Sequence, residues 1–124
     1  MSNLYFDIIS GIAKMDRYIF NEKFPALGSA FGAFHDSPAH NDERLARDIY
    51  QKDPPDVRAE LIGAILVEAH RFMETMEQDW AILGEEANRR LYALDETRSW
   101  FVRIIIAWQE ELNRLKGEGS NFKN

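Results

Sequence analysis

The stretch that most restricts this chain is Asp53-Pro54-Pro55-Asp56 and the uninterrupted run that follows to about Met76. Proline suits a first helical turn because its missing N–H would lack an intrahelical partner there anyway, and Asp53 is placed to accept hydrogen bonds from the free amides. Beyond the prolines, Val57, Leu61, Ile65, Ala69, Phe72 and Met76 recur at helical spacing, with Ile62, Leu66 and Met73 widening the stripe. A long helix with so broad an apolar face needs other helices to cover it. The expected fold is therefore all-α: a single-domain bundle of about five to six helices, two of them long.

The rest of the chain supplies the partners. Residues 3–22 read as a first helix capped by Ser2 or Asn3, with Leu4, Ile8, Ile12, Met15 and Ile19 inside and Tyr5, Ile9 and Phe20 at the edges. Phe24-Pro25 interrupts it, and Pro25 opens a short apolar helix to Phe34 that carries Leu27, Phe31 and Phe34 on one face. Gly28 and Gly32 lie four apart there, a spacing that serves internal packing or a dimer face. Residues 35–41 read as a loop, and 42–51 as a helix capped by Asn41 with Leu45, Ala46, Ile49 and Tyr50 inward. The long helix is expected to end near Trp80, with a turn at Gly84 and a helical turn at 85–91. Asp95 caps the last helix, 96–116, whose stripe is Phe101, Ile104, Ile105, Trp108, Leu112 and Leu115. Trp100, Val102 and Ile106 add apolar surface elsewhere on it. Residues 1–116 form the domain in this reading, and 117–124 a flexible tail. No segment alternates with period two between hairpin turns.

A chain of 124 residues with 45% hydrophobic and 29% charged residues has the make-up of one folded domain. It contains no cysteine, so disulfides and thiolate metal sites are excluded. The formal net charge of −6 and a pI near 5.0 disfavour nucleic acid, whose phosphates call for Lys and Arg, and favour a basic protein partner. No signal-like segment opens the chain. The longest apolar run, Phe101 to Trp108, is broken by Arg103, so no membrane span and a cytoplasmic location are expected.

Motifs for chemistry are sparse. His35, His40 and His70 match no compact zinc spacing, and no metal or other cofactor is expected. The serines lie in no nucleophile elbow, and there is no phosphate-binding glycine loop. The paired carboxylates look exposed, whereas acid–base catalysis needs environments that separate two pKa values. The chain is read as not an enzyme. Acids gather between Glu68 and Glu86, where Glu68, Glu74, Glu77, Asp79, Glu85 and Glu86 face Arg71 alone. Such a run either solvates a helix end, with Trp80 in the core, or docks a basic protein, with Trp80 as an aromatic anchor.

The order of features from Gly32-Ala33-Phe34-His35-Asp36 onward resembles bacterial contact-dependent growth inhibition immunity proteins. Phe24-Pro25 with Leu27 precedes that segment, and Asp53-Pro54-Pro55 with Val57, Arg58, Leu61 and Ile65 follows it. Leu83-Gly84, then Thr97 and Trp100-Phe101, are similar to the family's closing stretch, so the likeness spans about residues 24–108. The resemblance implies a cytosolic inhibitor that neutralises a cognate toxin domain, often a nuclease, by covering its active site. Placed on this chain, the expected partner-binding residues are Glu74, Glu77, Asp79, Trp80, Glu85 and Glu86. Two other readings stand beside it. One is a helical ligand-binding protein or enzyme whose inter-helix pocket draws on Phe31, Phe34, His35, His70 and Trp108. The other is a homodimer built on the apolar surplus of the last helix.

Overall fold

Three of the helix starts in this chain are set by an oxygen acceptor at the first-turn amides, and one of those acceptors belongs to a distant helix. The computed structural model describes residues 15–121. Helix α1, Arg17–Lys23, begins where Asp16 accepts from the Ile19 amide at 2.8 Å. Helix α2, Pro25–His35, has proline in its first turn, and its Leu27 amide donates to Glu68 Oε1 at 2.9 Å. Helix α3, Asp42–Asp48, is capped by Asn41, which accepts from the Arg44 amide. Helix α4, Pro55–Met73, is followed by the single turn α5, Met76–Asp79, then α6, Ala81–Ala87, and the long α7, Leu94–Asn121. The protein is all-α, with seven helices and no strand among the described residues.

Helix α7 is the spine. It packs chiefly against α3 and α4 and also touches α5 and α6, while α2 lies against α1, α4 and α6. The core is aromatic. Phe31, Phe34, Phe72, Phe101 and Trp108 are fully buried, and Trp100 nearly so. Phe31 lies 6.1 Å from both Phe101 and Trp108, and Phe20 meets Phe72 edge-on at 5.6 Å. Each such ring contributes about 1.5–3 kcal/mol by leaving water.

The expected stripe of α7, Phe101 through Leu115, is buried throughout, and Asn41 caps α3 as expected. Elsewhere the boundaries move. Residues 3–14 of the expected first helix lie outside the described residues, as do the caps Ser2 and Asn3. The described part of that span is helical from Arg17, with Asp16 in an extended conformation at the cap. Pro54, not Asp53, occupies the cap position of α4, with no side-chain bond to the first turn, and the Asp53 amide instead closes a turn onto the Tyr50 carbonyl. The buried face of α4 is rotated from the expected one. Val57 and Leu61 are exposed, and Arg58 takes an inside position.

Two more corrections concern turns. Helix α3 stops at Asp48, since Tyr50 adopts a left-handed backbone with φ of 57°. Gly84 is not a turn but an interior residue of α6, and the reversal comes at Asn88, φ 55°, where the Arg89 amide bonds the Gly84 carbonyl at 2.8 Å. That left-handed cap satisfies a carbonyl the helix end leaves open. Helix α7 starts at Leu94, so Asp95 lies in its first turn rather than before it, and Glu96 reaches back to the Tyr92 amide at 2.7 Å. The helix continues through Asn121, past the expected end at residue 116.

Candidate surface on the α4–α6 edge

The acid-rich run occupies the end of α4, the turn α5 and the start of α6, and the fold sorts its members into two kinds. Glu68 and Glu86 are structural. Glu68 is half-buried and holds the start of α2. Glu86 is buried and accepts from Arg17 Nε at 2.8 Å, tying α1 to α6. That bond is the largest influence raising the Arg17 pKa, followed by the charge of Glu86, with a smaller contribution from Glu85.

The other four acids face outward. Glu74, Glu77 and Glu85 are exposed and Asp79 half-exposed, and none forms a salt bridge among the described residues. Trp80 stands between them, half-buried and packed against the core with part of its surface open. Helix α5 is a single turn wedged between α4 and α6, which is why four acids and a tryptophan reach solvent within twelve residues. Cations border the group. Glu74 and Asp79 share an open depression of about 550 Å³ with Lys23 and Arg71. Arg71 also lies over the Phe24 ring at 5.3 Å. Of the six expected contact residues, the fold thus presents five at the surface and withdraws Glu86.

The pocket expected from Phe31, Phe34, His35, His70 and Trp108 does not form. The three aromatic side chains are packed into one another in the core, while His35 and His70 are exposed. His35 Nδ1 lies 3.5 Å from Asp36 Oδ1 on the surface. No group of three or more metal-capable side chains comes together among the described residues. A different groove, about 470 Å³, runs between α2, α3 and the loop after α3, over Phe34, Leu45 and Ile49 with Ser37 and Lys52 at the rim. Tyr50 lines it, and its hydroxyl lies 3.1 Å from Ser29 Oγ. A left-handed tyrosine carries backbone strain, a feature found at ligand and switch sites, and periodicity has no means of registering it.

Two charged clusters hold the helices that carry these surfaces. Arg89 is buried and grips both carboxylate oxygens of Asp42 through Nε and Nη2, at 2.9 Å for the shorter contacts. Its Nη1 donates to the Ser37, Ala87 and Asn88 carbonyls, and Trp100 Nε1 completes Asp42 at 2.8 Å. The second cluster joins Arg58 to Glu111. An arginine carries no sequence mark of burial, and the partners Asp42 and Glu111 lie 47 and 53 positions away, beyond the reach of local pattern.

No helix among the described residues is long and apolar enough to cross a membrane. Compared with known proteins, the chain matches no protein-family model, no curated protein and no solved structure.

Proposed function

We propose that this chain is a cytoplasmic immunity protein that binds a basic toxin domain, a nuclease, and covers its active site without performing chemistry. The observation that supports the reading is the set of outward, unpaired acids Glu74, Glu77, Asp79 and Glu85 around a partly open Trp80. A nuclease active site carries cations that hold phosphate. An acidic face on a rigid bundle competes for those cations, and long-range attraction accelerates encounter. Trp80 supplies the apolar contact that slows dissociation.

The test is co-expression with a small basic toxin domain, sought among the products of adjacent genes. Protection of the host and a one-to-one complex on co-purification are the expected results. Failure of both, or an association rate indifferent to salt, overturns the reading. The groove beside Tyr50 favours a second one, a small helical ligand-binding protein. In that case a small molecule, and no protein, protects Tyr50 and Lys52 from chemical modification.

A further inference from the structure

Helix α4 has a second apolar stripe, on the flank that the core does not use. Val57, Leu61 and Val67 are 38%, 37% and 63% exposed, and Ala64 between them is exposed as well. Val57, Ala64 and Arg71, seven apart, run along one line of the helix, and Leu61 and Val67 flank that line on either side, so the group forms one face roughly 120° wide. We propose that this flank is a homodimer contact, in which α4 packs antiparallel against α4 of a second copy about a two-fold axis at Ala64. The proposal goes beyond the toxin-binding reading and does not rest on it.

Charge selects this occupant. The stripe is acidic at its start, with Asp56 and Glu60, and basic at its end, with Arg71, and all three are exposed. None of the three forms a salt bridge among the described residues. In an antiparallel pair centred on Ala64, residue 57 of one copy lies opposite residue 71 of the other. Arg71 then comes within reach of Asp56 and Glu60 of the second copy, on both sides of the axis at once. A parallel pairing would instead set like charges together. Ala64 at the centre lets the helices approach closely, toward the short end of the usual 8–10 Å interaxial range. Self-complementarity of this kind is what a two-fold interface requires.

The contact runs from Val57 to Arg71, about 21 Å of helix, which is short for a stable dimer and implies association in the micromolar range or weaker. The experiment is sedimentation equilibrium of the chain alone from about 10 μM to about 1 mM, a range that brackets such affinities. Reversible dimerisation is expected. Ala64→Glu places two carboxylates at the axis and abolishes it, and since Ala64 is exposed and Glu is a good helix former, this variant keeps its helical signal in circular dichroism. Glu60→Arg weakens the dimer about tenfold, and Glu60→Arg with Arg71→Glu restores it, because the pair is inverted rather than lost. A monomer across the whole range overturns the proposal. So does a dimer that survives Ala64→Glu but is dissolved by Ile106→Glu, which assigns the contact to the outer face of α7.

Discussion

Arg58 of α4 donates from Nη1 to Glu111 of α7 at 2.7 Å, with both side chains 8% exposed. The same guanidinium caps the end of α3 by donating to the Arg47 and Ile49 carbonyls, and Arg114 closes on Glu111 from the outer side. Three helices therefore meet at one ion cluster. Glu111→Gln leaves Arg58 buried without its counter-charge and is expected to cost about 3 kcal/mol in urea unfolding. The joint change Arg58→Met with Glu111→Leu is expected to cost less, since no charge then stays behind.

The same cluster predicts a pH dependence. The hydrogen bond from Arg114, and then that from Arg58, hold the Glu111 carboxyl below its ordinary value of 4.5, against the opposing push of burial. A carboxyl depressed by folding binds protons more readily in the unfolded chain. Its contribution to stability is thus complete above pH 4.5 and is lost as pH falls through the lower folded value. Unfolding free energy measured from about pH 6 down to about pH 3 is expected to fall more steeply for the parent chain than for Glu111→Gln.

Gly84 marks a close approach of backbones. A Cβ there would stand 2.8 Å from the Arg89 carbonyl oxygen and against the Leu91 side chain. Gly84→Ala is expected to destabilise by about 1–3 kcal/mol despite its better helix propensity, because backbone must move. At the left-handed Asn88, replacement by Gly leaves thermal stability nearly unchanged, and Ala costs about 1 kcal/mol.

Arg89→Lys tests whether a positive charge is enough at the α3–α6 junction. Lysine cannot make the two-pronged grip on Asp42 while also reaching three carbonyls, so a loss of about 2 kcal/mol is expected in denaturant unfolding, with net charge unchanged.

The two kinds of acid on the α4–α6 edge separate in a binding assay. Replacing Glu74, Glu77, Asp79 and Glu85 together by their amides is expected to slow association with a basic toxin domain about tenfold or more at low salt and to flatten its salt dependence, with unfolding little changed. Glu86→Gln is expected to do the reverse, lowering stability through the lost tie to Arg17 while association holds. Stopped-flow association rates at several salt concentrations check the first, and thermal melts the second.

What the sequence reveals depends on whether one rule governs an element. In α7 every position of the apolar period faces the interior, so the stripe from Phe101 to Leu115 reads correctly. In α4 two rules compete. Val57 and Leu61 share the period, but Arg58 is held inside by Glu111 and the Ile49 carbonyl, and this turns the helix so that those two apolar residues look outward. The pairing spans 53 positions, and local pattern cannot register it. Glu86 is drawn in from the surface by the same kind of tie, its partner Arg17 lying 69 residues away. Gly84 illustrates the converse. Glycine usually signals a turn, but here it signals contact with the strand of chain that returns after Asn88.

The order of the elements, with α7 after every helix it packs against, has a consequence for biosynthesis. Phe31, Phe34 and Phe72 leave the ribosome well before Trp100, Phe101 and Trp108, the rings against which they rest. The earlier helices therefore emerge with part of their sticky faces bare, and the rings that cover those faces arrive only once α7 has followed them out.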